Sequence, residues 1–271
     1  MPTLRITPDL EMFYRTDDFT DPWQKSEVVL FLHGVSDNGG LWFGWVPHFG
    51  RHFRLVRPDM RGFGKSTPMP GTYSWSLDRL RDDFLALLDH LGIERVHLIG
   101  AKLGGMTSLH MAATCPDRVL SATVMSTPVS ASQIPTANNP AFQQAFNEGG
   151  VERWVWMNHQ KRLGSGVSEA MRQWWGQSMI DSGPNSTLTG IMRAESKLEI
   201  EHELKDIRCP VLAIATEGSV LGSNDQIHAW QKHIAHPEAV VLPGDAFHVA
   251  AAHPDEAAKV AIEFVLRHSG R

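Results

Sequence analysis

The feature that most restricts the fold of this chain is a short passage in which an apolar strand runs directly into a glycine-flanked turn and then a helix. Val96-His97-Leu98-Ile99 reads as a buried strand, and Gly100-Ala101-Lys102-Leu103-Gly104-Gly105 follows it without a spacer. The helix then spans Gly104 to Ala113 and closes before Pro116. Small residues on both sides of a central side chain are what a sharp strand-to-helix turn requires, because strand and helix backbones must pass closely. Such a turn belongs to a parallel sheet with helices packed on its faces.

The rest of the chain keeps that rhythm. Val28 to Leu32 and Arg54 to Arg57 are short strands, the second stopped by Pro58. Leu77 to Leu91 carries Leu80, Phe84, Leu87, Leu88 and Leu91 at helical spacing and ends at Gly92. Strands are expected over Ala122 to Met125, Val211 to Ala215 and Ala239 to Leu242, and helices over Asp225 to Ile234 and Ala257 to His268. Alternation of this kind predicts an α/β fold with a mostly parallel, doubly wound sheet. The stretch from 130 to 205 departs from it. Rich in Trp154, Trp156, Met157, Met171, Trp174, Trp175 and Met179 and without a clear strand, it reads as a helical cap. The core is thus expected in two parts, 1–129 and 206–271. The cap aromatics pack its own interior for the most part, with one or two lining a pocket against the core.

Composition sets outer bounds. With 42% hydrophobic and 20% charged residues, the chain has the make-up of a globular protein. A formal charge of −5 and the lack of a Lys/Arg run argue against nucleic acid. No apolar run approaches about 18 residues, so no membrane span is expected. Met1-Pro2-Thr3-Leu4-Arg5 lacks the apolar core of a signal peptide, and a cytoplasmic location follows by default. Cys115 and Cys209 have no metal-site spacing and read as small thiols. Neither a dinucleotide loop nor a phosphate-binding Lys-Ser/Thr motif is present, so no cofactor is implied, and the histidines show no metal-binding pairing. Nothing in the sequence speaks to oligomeric state.

Three further motifs stand in order around the turn. They are His33-Gly34-Val35-Ser36 with Trp42, then Pro58-Asp59-Met60-Arg61-Gly62-Phe63-Gly64-Lys65-Ser66, and last Pro243-Gly244-Asp245-Ala246-Phe247-His248. With the elbow at Lys102, this order resembles the α/β-hydrolase superfamily. The likeness is to capped bacterial members: carbon–carbon bond hydrolases, enol-lactonases, haloperoxidase-like esterases and epoxide hydrolases. The resemblance implies His248 as general acid/base, backbone N–H groups of Val35 and Leu103 as the oxyanion hole, and a pocket lined by His33, Gly34, Trp154 and Trp175.

Three positions depart from the superfamily pattern. Lys102 stands where it places Ser, Asp or Cys, and its two usual acid positions fall on Ser126 and Ser219. Glu217 and Asp225 are nearby carboxylates available to orient His248, although Asp225 also suits a helix cap and Glu217 a solvated loop. An amine at a helix N-terminus under a cap has two outcomes. Either it loses its proton and becomes a nucleophile or base, or it keeps the charge by pairing with an anion, such as a substrate carboxylate or an enolate. The expected activity is cleavage of a C–C, ester or lactone bond in a small carbonyl compound. Two rivals remain: a lyase, decarboxylase or isomerase with His248 as base and Lys102 holding an anionic substrate, and a ligand-binding protein built on a retired hydrolase.

Overall fold

Runs buried along their whole length build the middle of the sheet. The computed structural model describes residues 2–134, 140–194 and 198–270. Its strands are β1 (Thr3–Thr7), β2 (Leu10–Asp17), β3 (Val28–Leu32), β4 (Arg54–Pro58), β5 (Val96–Ala101), β6 (Val119–Met125), β7 (Val211–Thr216) and β8 (Pro237–Leu242). They form one eight-stranded sheet in the order β1-β2-β4-β3-β5-β6-β7-β8. β3, β5 and β7 are buried at every position, as strands covered on both faces must be. From β4 to β8 all pairings are parallel, while β2 runs antiparallel to β1 and β4.

β1 and β2 precede the first strand that the sequence predicts. The burial of β2 neither alternates nor runs unbroken, with Glu11 exposed among buried neighbours. Simple periodicity therefore has little to register there.

The helices, in chain order, are α1 (Val46–Phe49), α2 (Leu77–His90), α3 (Leu103–Thr114), α4 (Pro140–Leu163), α5 (Glu169–Ser182), α6 (Asn185–Ala194), α7 (Asn224–Gln231), α8 (Val249–Ala252) and α9 (Pro254–Arg267). α4 is interrupted at Gly150, which has a positive φ of 63°. One apolar layer contains Phe84, Leu87, Met106 and Leu109 of α2 and α3, and extends to Trp154, Trp175, Leu188 and Ile191 of the later helices. The other gathers Phe31, Trp45, Phe49, Phe53 and Phe264. α4, α5 and α6 lie between β6 and β7 in the chain. Trp174 and Met157, two of the residues singled out in this stretch, are exposed, whereas Trp154, Trp175 and Met179 are buried.

Register places the key turn at the carboxyl end of the sheet. Leu32 pairs with Gly100, and Ala101 with Met125. The residue that follows β5 is Lys102, whose N–H donates to the Met125 carbonyl at 3.0 Å. The ends of β3 and β6 therefore flank it, the location where open parallel sheets bind ligands.

Candidate active site

Lys102 occupies the first position before α3 with φ 54° and ψ −116°, a left-handed backbone that a side-chain-bearing residue adopts at a cost of about 1–3 kcal/mol. The neighbouring glycines make the turn feasible. A β-carbon on Gly104 would overlap the Leu32 carbonyl, and one on Gly100 would come within 2.5 Å of the Gly104 carbonyl and the Ser108 hydroxyl. Gly34 serves the side chain itself, because a β-carbon there would lie 2.5 Å from Lys102 Cε. The lysine stem thus passes over the bare backbone of the β3 loop.

At its end is a partner that the sequence reading did not select. Lys102 Nζ donates to Asp37 Oδ2 at 2.8 Å, and the same oxygen lies 3.2 Å from His248 Nε2. The second approach is an ion-pair distance whose angle does not make a hydrogen bond. All three side chains are buried. Asp37 is the carboxylate that fits the imidazole. Glu217 and Asp225 are exposed, and neither pairs with His248 among the described residues. Ser219 is buried and donates to the Leu221 carbonyl at 2.7 Å, and Ser126 is buried with φ 50° and no hydrogen-bond partner for Oγ among the described residues. The two usual acid positions therefore hold no charge. Both ring nitrogens of His248 and Oδ1 of Asp37 are also without a hydrogen-bond partner among the described residues.

The charges follow from this geometry. Burial pushes Asp37 upward, but Lys102 and His248 beside it outweigh that and hold its carboxyl well below the usual range. Burial lowers Lys102, with Asp37 opposing and Arg162 adding to the fall. His248 is pushed down to about 4 by burial first and by Lys102 next, against the pull of Asp37. His159, buried on α4, is also lowered to about 4, chiefly by burial. An unfolded imidazole takes up its proton near the ordinary value of 6.5, and these two only near 4. Between those values the unfolded chain binds more protons, so stability falls as pH drops through that window. Thermal melts from about pH 7 to about pH 4.5 should show a falling Tm, with a smaller fall in His159→Gln. A Tm independent of pH in that range would show the imidazoles to be solvated.

The remaining predicted residues separate into two spaces. A cavity of about 90 Å³ is lined by Val35, Lys102, Leu103 and Phe247 from the sheet side and by Trp154, Asn158 and Arg162 from α4, among others. The N–H groups of Val35 and Leu103 find no acceptor among the described residues. Trp154, Asn158 and Arg162 recur every fourth residue and so form one stripe of α4. His33, Gly34, Asp37, Trp175 and His248 border a separate, much smaller recess. His33 is committed to structure: its Nε2 accepts from the Met60 N–H at 2.7 Å, so Nδ1 carries the proton and donates to the Gly34 carbonyl at 2.7 Å. Trp175 packs edge-on against His248, ring centres 5.4 Å apart. Sequence reasoning missed Asp37 and Arg162. The need of a buried lysine for a carboxylate points to the first, and the four-residue spacing on α4 to the second.

Comparison with known proteins agrees with this architecture. A family model described as the alpha/beta hydrolase fold matches residues 27–252. The chain is 26% identical over 231 residues, 84% of its length and 84% of the relative's, to 3-oxoadipate enol-lactonase 1 of Acinetobacter baylyi. It is 25% identical over 267 residues, 88% of its length and 86% of the relative's, to the fluoroacetate dehalogenase of a Burkholderia species. The solved enol-lactonase from Burkholderia xenovorans LB400 shares the fold with a TM-score of 0.83 at 20% identity, covering 98% of this chain and 100% of that one. No helix among the described residues is long and apolar enough to cross a membrane. Since the match runs from the start of the first parallel strand to the helix beyond His248, the chain belongs to the α/β-hydrolase fold family.

Proposed function

We propose that this protein is an enzyme that cleaves a C–C, ester or lactone bond of a small carbonyl substrate, with Lys102 and His248 in place of a Ser-His-Asp triad. The observation that carries the reading is the placement of the Lys102 ammonium. It is held on the strained turn by Asp37, in the wall of a largely apolar cavity that Val35 and Leu103 also line. A lysine that donates to an ionised carboxylate suits an electrophilic anchor better than a nucleophile, since attack by Nζ requires loss of that proton.

In this scheme neutral His248 takes a proton from a water in the recess that it borders with Asp37, beside the Lys102–Asp37 pair that adjoins the cavity, as the water oxygen adds to the substrate carbonyl carbon. The carbonyl electron pair moves onto oxygen, facing Val35 N–H, Leu103 N–H and the Lys102 ammonium. Asp37, 3.2 Å from Nε2, stabilises the imidazolium formed in that step. When the tetrahedral adduct collapses, the bond to the leaving oxygen or carbon breaks, and the imidazolium returns its proton to the leaving group. The relatives named as an enol-lactonase and a dehalogenase support hydrolytic cleavage of small molecules by this family.

The test is turnover of a panel of small esters, lactones and 1,3-diketones by the wild type and by Lys102→Gln and His248→Gln, both of which should lose activity. Borohydride added during incubation with ketones or aldehydes should leave the Lys102 peptide unmodified in mass spectrometry. A reduced adduct on Nζ would make Lys102 the nucleophile. No turnover across the panel would overturn the proposal.

A further inference from the structure

Arg162 is buried at 3% exposure in the cavity wall, and no carboxylate among the described residues pairs with it. Its Nη1 reaches only the Val155 carbonyl at 3.2 Å and His159 Nδ1 at 3.3 Å. The guanidinium carbon otherwise faces rings, 5.1 Å from the centre of Trp154 and 5.8 Å from that of Phe247. The other buried arginines behave differently. Arg57 pairs with Asp17 through Nε and Nη2, and Arg61 pairs with Asp83 through Nε and Nη2 and with Asp9 through Nη1. Removing a guanidinium from water is costly unless an anion meets it, and this chain meets that need elsewhere from its own carboxylates.

Charge counting leads the same way. The buried cluster contains two cations, Lys102 and Arg162, and one carboxylate, Asp37, already engaged by Lys102 and His248. One positive charge is left without a match, and it belongs to the cavity. A second donor in the same wall is also unused: Trp154 Nε1, in a side chain at 5% exposure, has no hydrogen-bond partner among the described residues. Planar guanidinium groups are suited to two-point recognition of carboxylates.

We propose that Arg162 is the carboxylate-binding residue of the cavity, so that the protein takes monoanionic substrates: small carbonyl compounds carrying one carboxylate away from the bond that is cleaved. The substrate class rests on the cavity being the reaction site described above, whereas the anion site stands on Arg162 itself. Arg162 holds the anion and Lys102 remains free to face the reacting carbonyl.

The experiment is calorimetric titration of the wild type, Arg162→Gln and Arg162→Lys with monocarboxylates from acetate to benzoate and with the matching neutral amides, run beside turnover of acid-bearing and neutral esters. We expect at least one carboxylate to bind the wild type tenfold or more tightly than its amide. Arg162→Gln should lose that preference with amide binding unchanged, and Arg162→Lys should keep part of it. Equal binding of acid and amide by the wild type, no binding of any carboxylate, or full preference in Arg162→Gln would each overturn the proposal. The wild-type comparison decides the matter if Arg162→Gln does not fold. Turnover without charge preference would overturn this inference and leave the proposed function standing. Charge-selective binding without any turnover would do the reverse.

Discussion

Asp37→Ala is expected to destabilise the protein by about 3–5 kcal/mol, the cost of leaving a buried ammonium without its partner. Lys102 Nζ has Asp37 as its hydrogen-bonded anion at 2.8 Å, and the carboxylate is 1% exposed, so water cannot take its place without opening the site. Lys102→Met is expected to cost less than this, because Asp37 can escape its isolation by taking up a proton. Combining Lys102→Met with Asp37→Asn removes both charges together and is expected to return the protein to near wild-type stability, since apolar replacement of a buried pair is often neutral or stabilising by about 1–4 kcal/mol. Urea unfolding of the wild type, Asp37→Asn, Lys102→Met and the double variant, with Asp37→Ala run beside them, measures the coupling directly. A loss of under about 1 kcal/mol for Asp37→Ala would place the pair in the class of solvated ion pairs and would remove the physical basis for a charged Lys102.

The second large effect concerns conversion back to a serine enzyme. Lys102→Ser alone is expected to show no robust hydrolysis of a small activated ester. A serine hydroxyl needs an imidazole held in one tautomer by a carboxylate, and loss of that carboxylate in such triads costs about 10⁴-fold in turnover. Here Nδ1 of His248 has no hydrogen-bond partner among the described residues, and both usual acid positions are serine. Asp37 makes matters worse in this variant: relieved of the ammonium, its negative charge would face the developing oxyanion. Lys102→Ser with Ser219→Asp is expected to exceed either single change, because the triad acts as a unit, and Asp37→Asn added to the pair should raise activity again. If Lys102→Ser alone matched the double variant, some group already present would be serving His248, and Asp37 itself would be the first to test.

The parts of this molecule that could be read from the sequence are those whose signals are local. The run from Val96 to Gly105 contains strand, turn and helix within ten residues, and Gly100 is dictated by its approach to Gly104 and Ser108 of the same unit, whereas Gly104 and Gly105 answer to Leu32, His33 and Thr127 of neighbouring segments. The His248 loop and the His33-Gly34 turn are likewise short runs whose residue order can be read without their distant partners. Asp37 is different. It lies 65 residues from Lys102, and in the string Val35-Ser36-Asp37-Asn38 it looks like any polar turn residue. Its meaning appears only when β3 and β5 are adjacent, which no periodicity states. Glu217 and Asp225 attracted notice by closeness in sequence to an expected acid position, yet their side chains extend to solvent. Arg162 was hidden for another reason: beside Lys161 in the last turn of its helix it reads as a solvated residue near the C-terminus. The stripe of Trp154, Asn158 and Arg162 identifies its inward face only once the cavity is known.

The backbone of that same arginine has a mechanical consequence. The Arg162 carbonyl accepts the His248 N–H at 2.8 Å, and the Lys161 carbonyl accepts the Phe247 N–H at 3.5 Å. The last turn of α4 is thus stitched to the imidazole loop, and the two travel as one body. Each residue inserted or deleted within the second half of α4 would turn its inward row by about 100° and drag the anchor of His248 along with it. Adaptation of this scaffold to a new ligand is therefore channelled into exchanging side chains at positions 154 and 158, where the pocket can be reshaped while the histidine stays in register.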